Sequence, residues 1–517
     1  MARKQPFTEA TIRDHFAGNL GLIEPGLTLV EKEFELPNKR GAKGFVDLLA
    51  RDRFGHIVVI EIKRSDMAAR TALNELHKYV ALLRNNHGLA SDKIRCLVLS
   101  TEWHELLVPF SEYARSVDYH VEGREIILSK EFIPTALRPI ELAPESTVSR
   151  ICPHHMVYFF HDREACELAL STVDRELEQF SVQSYLAFLM ERDDQQEGFC
   201  PFALYLTVES FSPTQKGDIE KKLSSENERL FDSEEWPHER TVISNVGLNL
   251  RADDVEIGYP EKFGRMLEGW TIISTARRGR FKVSEALRSD EELRREVAGH
   301  EGDNAFIFQA FCSPRYKPSW ESVKTRSKYC LKGNPTWEQG LELFMKESET
   351  DETGSLSIHV YNPLDLIMSL YQLAVQRDTS YLPVMQIVRE DRYGQKLSHL
   401  LGYLAWDGKT CPESPERVIQ SHFGGVWEYF VRRNFGETWR YEPRLLKIHG
   451  FRYTFCEFTF QAGRVSGHQE WLIKHGRVER RPLGEDGPDS VLRFINVNKP
   501  YIRSLVRLIR SKLVTVG

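Results

Sequence analysis

Residues 44–64 read GFVDLLARDRFGHIVVIEIKR and form two apolar segments joined by a short turn at residues 53–55. Asp47 lies in the first segment, and Glu61 and Lys63 end the second. Side chains two residues apart on a strand share a face, and a hairpin brings two such strands side by side. The pattern therefore predicts that two carboxylates and one ammonium group converge at one place.

These charges stand in an apolar setting. An isolated Glu-x-Lys usually marks the solvated edge of a sheet, but here Glu61 follows the apolar residues 57–60, a run typical of a strand buried on both faces. Paired charges are rarely buried without a role. We interpret Asp47, Glu61 and Lys63 as a site at which carboxylates hold a divalent cation and a water molecule is activated against a phosphodiester.

The flanking sequence predicts the order helix, three strands, helix, strand. Thr8 is a predicted N-cap for the first helix, which ends before residues 25–26, Pro-Gly. Periodicity predicts the later elements: strands over about residues 27–36, 44–51 and 56–63, a helix over 67–84, a strand over 93–101 and a helix over 102–116.

This order, with a strand Asp and a following Glu-x-Lys, resembles the core of the PD-(D/E)xK, or restriction-endonuclease-like, nucleases. Residues 20–30 (LGLIEPGLTLV), 46–52 (VDLLARD) and 58–64 (VVIEIKR) are similar to the catalytic domain of NucS-like endonucleases. The resemblance covers about residues 8–125. It implies an α/β fold with a restriction-endonuclease-like αβββαβ core and a mixed sheet, and Mg²⁺- or Mn²⁺-dependent endonuclease activity, with DNA favoured over RNA as the substrate.

The resemblance also assigns roles to residues. Asp47 and Glu61 match the metal-binding carboxylates, the Ile62 carbonyl is a further oxygen ligand, and Lys63 matches the catalytic lysine. Glu9 matches the acidic residue that the family carries on its first helix, and Asp14 is the alternative. Where the family helix has a Gln four residues before a Tyr, this chain keeps Tyr79 but has Glu75.

Several basic and aromatic residues are predicted contacts to nucleic acid, each with the alternative of an ordinary solvated residue. Lys39, Arg40 and Lys43 lie in the loop before the Asp47 strand, and Arg64 follows Lys63. Tyr79 on the following helix and the basic run with Arg277, Arg278 and Arg280 complete the set. The helix predicted over residues 501–513 carries Arg503, Arg507 and Arg510, which either contact a nucleic-acid backbone or cap a domain.

The 517 residues exceed a single core, so we expect several domains. We predict a nuclease domain over residues 1–130, a proline-punctuated linker over 131–149, an acidic α+β domain over 150–350, and a C-terminal α+β domain over 351–517. The overall charge of −6 is uneven, with +1 for residues 1–130, −14 for 131–410 and +7 for 411–517. This distribution favours nucleic-acid contact near the C-terminus and protein contact in the middle.

The rest of the sequence narrows the classes of protein. No Walker A or dinucleotide-binding pattern occurs, and no apolar run approaches the length of a membrane span. Eight scattered cysteines favour a cytoplasmic location. A zinc site formed by residues 152–166, which contain two Cys and three His, matches no closed zinc module, so these are interpreted as interior side chains.

Two alternatives to a DNA endonuclease stay open. One is a catalytically inactive nucleic-acid-binding or assembly module. The other is an RNA-directed nuclease, since the three charged residues do not read a 2′-hydroxyl. A dimer or a partner protein bound through residues 150–517 is expected. An N-terminal nuclease joined to a long, unfamiliar region also suggests prokaryotic antiphage defence.

Overall fold

The structure, a computed structural model, describes most of the chain. The described residues are 8–38, 41–64, 66–143, 151–193, 200–226, 237–283, 287–351, 354–410, 412–434, 436–474, 476–483 and 487–513. The chain divides into two compact units, Met1–Val148 and Ser149–Gly517. The predicted mixed α/β character is confirmed, because helices and sheets occur in both units.

The first unit contains one six-stranded mixed sheet. Its elements are α1 (Glu9–Gly18), β1 (Thr28–Leu36), β2 (Gly44–Arg51), β3 (Ile57–Lys63), α2 (Asp66–His87), β4 (Ile94–Ser100), α3 (Leu107–Ser116), β5 (His120–Leu128) and β6 (Pro134–Pro139). The strands follow chain order across the sheet. β3, β4 and β5 run parallel, whereas β1, β2 and β6 join through antiparallel pairs.

Local interactions explain where α1 and the β2–β3 hairpin begin and end. Thr8 caps α1, and its hydroxyl accepts from the Thr11 amide while the Thr11 hydroxyl accepts from the Thr8 amide. In the hairpin, one carboxylate oxygen of Asp52 accepts from the amides of Phe54 and His56, both at 2.9 Å. Gly55 has φ +86°, which a glycine adopts without strain.

The sheet of the first unit separates two apolar cores. Ile12 and Phe16 of α1 pack with Val58, Ile60 and Ile62 on one face. On the other face, the core lies between the sheet and helices α2 and α3, and includes Leu49, Val59, Leu76, Tyr79, Val98 and Phe110. β3 is buried along its full length, as its apolar run predicted.

The described part of the predicted linker 131–149 corrects that prediction. Pro134–Pro139 form β6, which pairs with β5 and extends the sheet, so the first unit continues beyond residue 130. Its prolines lie at the ends of an edge strand, a position where a missing N–H is tolerated. Proline content alone therefore suggested a connector where the chain forms an edge strand.

The first sheet of the second unit has five antiparallel strands in the order β10-β7-β9-β8-β11. Its elements are β7 (Ile151–Phe160), α4 (Arg163–Gln179), β8 (Tyr185–Arg192), β9 (Phe202–Glu209), α5 (Pro213–Glu226), α6 (His238–Asn249), β10 (Asp254–Gly258), α7 (Pro260–Met266), β11 (Trp270–Arg277) and α8 (Asp290–Val297). One face packs against α4 and α6, and the other against α7 and α8.

The second sheet of this unit is a seven-stranded antiparallel meander, β12 to β18. Its elements are β12 (Ile307–Cys312), α9 (Lys317–Leu331), α10 (Pro335–Ser348), β13 (Ser355–Tyr361), α11 (Leu366–Gln376), β14 (Val384–Glu390), β15 (Lys396–Trp406), α12 (Pro415–Phe423), α13 (Val426–Asn434), α14 (Glu442–His449), β16 (Phe451–Gln461), β17 (Arg464–Lys474), β18 (Arg477–Arg481), α15 (Ser490–Val497) and α16 (Lys499–Leu513).

This meander corrects the predicted domain boundary at residue 350. β12 precedes that position and β13 follows it, yet the two strands pair in register from Ile307–Tyr361 to Cys312–Leu356. A boundary there would divide one sheet. Among the helices that the structure describes, none is long and apolar enough to cross a membrane.

Candidate active site

The candidate site lies where the pairing between β2 and β3 ends, away from the turn. Leu48 and Ile60 form the last pair of the ladder between these strands. Beyond this pair, the Ile62 amide donates to the Asp47 carboxylate at 2.8 Å instead of to a strand carbonyl. The side chain of Asp47 thereby takes over a backbone hydrogen bond, and its carboxylate lies next to the end of β3.

Strand alternation gives the charged residues a common side. Leu49 and Val59 face the core under α2, and Asp47, Glu61 and Lys63 follow them at intervals of two residues. The Lys63 ammonium lies 2.6 Å from Glu61 Oε1 and 2.9 Å from Glu75 Oε2. The charged groups of Asp47, Glu61 and Lys63 therefore lie close together, and the Glu75 carboxylate on α2 is part of the same cluster.

The Glu61 carboxyl is the most buried charged group at the site, with 2% of its side chain exposed. Its Oε2 atom has no hydrogen-bond partner among the described residues. Burial, together with the nearby Asp47 carboxylate, raises the pKa of Glu61 well above its usual value. Burial also raises the pKa of Asp47, although the Ile62 hydrogen bond opposes this shift.

Lys63 remains a cation in this setting. Burial alone would lower the pKa of Lys63, but its contacts with Glu61 and Glu75 outweigh burial and raise that pKa above its usual value. With 10% of its side chain exposed, the ammonium is held in place by two carboxylates and is largely screened from bulk water. A fixed positive charge therefore lies beside the unpaired oxygen of Glu61.

Glu9 also reaches this end of the sheet. Its carboxylate accepts from the Arg64 amide at 3.2 Å, and its charge contributes to the raised pKa of Asp47. Asp14, the alternative acid, is exposed, and its carboxylate lies 2.9 Å from Lys32 and 3.9 Å from Arg13. The structure therefore favours Glu9 of the two helix acids.

Sequence reasoning did not identify Arg13, which lies one helical turn after Glu9. Its guanidinium lies 3.0 Å from Glu33 and 3.6 Å from the Asp47 carboxylate, and only 14% of the side chain is exposed. Glu33 lies within β1 but has a backbone φ of +54°, an uncommon value for a residue with a side chain. The four-residue spacing of Glu9 and Arg13 on α1 was the signal that could have identified Arg13.

The predicted nucleic-acid contacts of the first unit have different outcomes. Lys39 and Arg40 lie outside the described residues. Lys43 is exposed and binds Glu35, and Arg64 is exposed next to the site. Tyr79 contradicts the prediction, because it is 2% exposed and its hydroxyl donates to the Phe45 carbonyl at 2.7 Å. Its place in the core leaves no surface for nucleic acid.

The basic run in the second unit is also corrected. Arg277 Nε donates to Asp290 at 2.9 Å. Arg278 donates to Asp174 through two nitrogens, each 2.9 Å from a carboxylate oxygen. Arg280 binds Glu209 at 3.1 Å. Carboxylates distant in sequence thus neutralise all three guanidinium groups, so the run is not a free phosphate-binding surface.

Glu75 is a natural test of how the cluster works. Replacing Glu75 with Gln keeps an oxygen that accepts from Lys63 but removes one negative charge. If the cluster is the Mg²⁺-dependent nuclease site that the sequence predicts, the Glu75→Gln variant should retain cleavage within about tenfold of wild type and need a few-fold more Mg²⁺, because the site attracts a cation less strongly. Initial cleavage rates over a Mg²⁺ titration measure both effects. A loss as large as that of a Lys63 variant would contradict this expectation.

Comparisons with known proteins agree with the position of this site. The family described as endonuclease NucS C-terminal domain matches residues 8–105. Endonuclease NucS of Sulfurisphaera tokodaii is 36% identical over 83 residues, which are 16% of this chain and 31% of that protein. Its counterpart in Thermococcus kodakarensis is 36% identical over 93 residues, 18% of this chain and 33% of that protein. The chain thus spans about a third of the length of these relatives.

Two solved structures each match about a quarter of the chain. An EndoMS–dsDNA complex is 26% identical and covers 23% of this chain and 46% of that chain, with a TM-score of 0.18. A repair endonuclease from Pyrococcus abyssi is 21% identical and covers 24% and 50%, with the same TM-score. The resemblance to a NucS-like nuclease therefore rests on the family and sequence matches, and it applies to a segment of the chain.

Proposed function

We propose that the first unit is a metal-dependent endonuclease domain of the PD-(D/E)xK type that hydrolyses phosphodiester bonds in DNA. One observation carries the proposal: Asp47, Glu61 and Lys63 converge at the end of the β2–β3 hairpin, inside the segment that matches the NucS family. DNA is the proposed substrate because residues 8–105 match the NucS endonuclease family, the resemblance that favoured DNA over RNA.

The side chains at the site suit a hard divalent cation. Asp47 and Glu61 offer carboxylate oxygens, and the Ile62 carbonyl is the proposed third ligand. The buried Glu61 Oε2 lacks a partner among the described residues, which is a costly state unless a cation or a proton meets it. A bound Mg²⁺ or Mn²⁺ would polarise the scissile phosphate and lower the pKa of a coordinated water.

The protein's own residues have separable tasks in this proposal. Lys63 holds a positive charge next to the position where negative charge develops on the phosphate, and Glu61 and Glu75 keep its ammonium in place. The Ile62 amide and Arg13 orient the Asp47 carboxylate from two directions. Arg13 is therefore a positioning residue, because it acts through Asp47.

A substrate panel tests the proposal directly. We expect the full chain to cut double-stranded DNA, single-stranded DNA or mismatched DNA in the presence of Mg²⁺ or Mn²⁺, and to cut none of them in EDTA. Supercoiled and end-labelled substrates separate endonuclease from exonuclease products. The proposed enzyme activity is contradicted if the protein binds nucleic acid but cuts none of the substrates with either cation. That result would favour a binding or assembly module.

The same panel decides between DNA and RNA. RNA of matched sequence is included because no residue assigned to the charged cluster recognises a 2′-hydroxyl, which is the group that distinguishes RNA from DNA. Cleavage confined to RNA would reject the DNA assignment and keep the proposed chemistry. The cytoplasmic location and the role in antiphage defence stay predictions that this experiment does not address.

For the second unit we propose substrate or partner selection, with dimerisation or a partner protein bound through residues 150–517. The basic face of α16 supports a nucleic-acid contact. Tyr501, Ile502, Leu505 and Ile509 are buried in the core of the meander, whereas Arg503, Arg507 and Arg510 are exposed on the opposite side. No acidic residue occurs between residues 490 and 513, and the acid from elsewhere in the chain that acts on this face is Glu416 of α12, whose pKa the Arg507 charge helps to lower.

Neutralising this face tests the contact without removing the helix, whose apolar residues the core needs. We expect the Arg503→Gln, Arg507→Gln, Arg510→Gln triple variant to bind DNA more weakly and to reduce the slope of log K against log salt by about 2 to 3, if all three contact phosphates. Fluorescence anisotropy at several salt concentrations measures both quantities.

The matched control neutralises three exposed arginines of the same unit that lie outside α16, Arg392, Arg464 and Arg477. It changes the net charge equally, so a general charge effect would appear in both triple variants. An unchanged slope in the α16 variant, or an equal change in both variants, would reject the contact.

A further inference from the structure

Three side chains of ligand type meet at one edge of the five-stranded sheet of the second unit. His161 follows the end of β7, Cys200 lies just before β9, and Asp253 lies just before β10. β7 pairs antiparallel with both β9 and β10, so the end of β7 and the beginnings of its two neighbours lie at the same sheet edge. The topology, and not the sequence spacing, brings the three residues together.

The distances between the three side chains are short. Cys200 Sγ lies 3.5 Å from His161 Nδ1, and that nitrogen lies 3.2 Å from Asp253 Oδ2. The ligand atoms all lie within 4.8 Å of one another. Asp253 Oδ2 also accepts from the His161 amide at 2.8 Å, which fixes the carboxylate next to the imidazole.

These distances fit a tetrahedral zinc ion. With Zn–S of about 2.3 Å and Zn–N or Zn–O of about 2.1 Å, tetrahedral angles separate sulfur from nitrogen by about 3.6 Å and nitrogen from oxygen by about 3.4 Å. Cys200 Sγ also lies 3.8 Å from His161 Nε2, so the imidazole must turn for the Nδ1 lone pair to face the ion. With 63% of its side chain exposed, His161 has room to turn.

We propose that His161, Cys200 and Asp253 bind one Zn²⁺, with a water molecule as the fourth ligand. Thiolate, imidazole and carboxylate together are typical zinc ligands, whereas Mg²⁺ and Ca²⁺ take oxygen ligands only. Within the described part of the chain, this is the one group of three or more such side chains that meets these distances. The site is separate from the oxygen-rich cluster around Asp47.

The geometry argues against the other role of a Cys, a His and an Asp, which is a nucleophile relay. A relay needs one imidazole nitrogen for the sulfur and the other for the carboxylate. In the ring orientation that the structure shows, Nδ1 is the nearer nitrogen to the sulfur and also lies by the carboxylate, so this orientation forms no relay.

Titration of the full chain with Co²⁺, after removal of metals by a chelator, tests the proposal. We expect a thiolate-to-cobalt charge-transfer absorption that saturates at about one equivalent per chain and disappears when Zn²⁺ is added. The Asp47 cluster contributes no such band, because it has no sulfur ligand. The titration therefore reports on this site whether or not the protein cuts nucleic acid.

Three variants complete the experiment. We expect Cys200→Ser to lack the band and Asp253→Asn to bind Co²⁺ at least tenfold more weakly. His468→Ala, which removes an exposed histidine of the same unit, should behave as wild type. Circular dichroism checks that each variant is folded.

Two results would overturn the zinc site. One is a band that is absent from wild type or persists in Cys200→Ser. The other is rapid alkylation of Cys200 at neutral pH that saturating Zn²⁺ does not slow, which would indicate a free nucleophilic thiol.

Discussion

Replacement of Lys63 by alanine or methionine is expected to reduce the cleavage rate by at least about 10²- to 10³-fold, because a preorganised charge next to the reacting phosphate is lost. Folding should survive, since the pKa of Glu61 is already raised and its carboxyl can take up a proton when the ammonium is gone. Single-turnover cleavage rates measure the loss of activity, and thermal unfolding measures the retention of fold.

Two controls make this result specific. Lys93→Ala removes an exposed lysine just before β4, at the opposite end of the parallel strands, and should cut as wild type does. Glu61→Gln keeps the shape of the side chain but removes a ligand, and should lose activity as Lys63→Ala does. Cleavage by Lys63→Met within tenfold of wild type would show that the chemistry lies elsewhere.

Replacement of Gly123 by valine is expected to lower the melting temperature of the first unit selectively. A Cβ atom at this position of β5 would lie 2.4 Å from Trp103 Cη2 and 2.9 Å from Phe110 Cε1. Both rings are buried, so neither can move without opening the core, and overpacking of this kind costs about 1–3 kcal/mol or more. The variant should lose cleavage together with the melting transition of the first unit.

Gly340→Val is the reciprocal variant. Its Cβ would lie 2.1 Å from Phe455 Cζ, in the core of the meander. We expect it to lower the melting temperature of the second unit while the transition of the first unit remains. Differential scanning calorimetry of both variants resolves the two transitions. If each variant lowered every transition equally, the two units would not unfold independently.

The three central residues of the candidate site were predictable because their sequence setting is local. Asp47, Glu61 and Lys63 lie on two strands joined by a tight turn, so alternation and hairpin pairing alone predict that they meet. The strand β2 was predicted with its observed bounds, Gly44–Arg51. Helix α2 extends three residues beyond its predicted end, where no proline or glycine signal occurs before Gly88.

The remaining features depend on partners that are distant in sequence. Arg278 binds Asp174, which is 104 residues away in the sequence, and Arg280 binds Glu209, which is 71 residues away. The sequence around the basic run therefore did not show that carboxylates neutralise these arginines. Tyr79 was predicted to contact nucleic acid because of its position on the helix that the family shares. Its burial depends instead on how α2 packs against the sheet. Likewise, Cys200 and Asp253 join His161 only because β9 and β10 flank β7.

The unequal charge of the Asp47 cluster has a consequence for the order of events. Three cations, Arg13, Lys63 and Lys78, lie among five carboxylates, those of Glu9, Glu33, Asp47, Glu61 and Glu75. A polyanion approaching this surface is repelled until the excess negative charge is compensated. In the proposed nuclease, cation binding should therefore precede productive docking of the nucleic-acid backbone, and the Mg²⁺ concentration would control whether cutting begins and not only its rate.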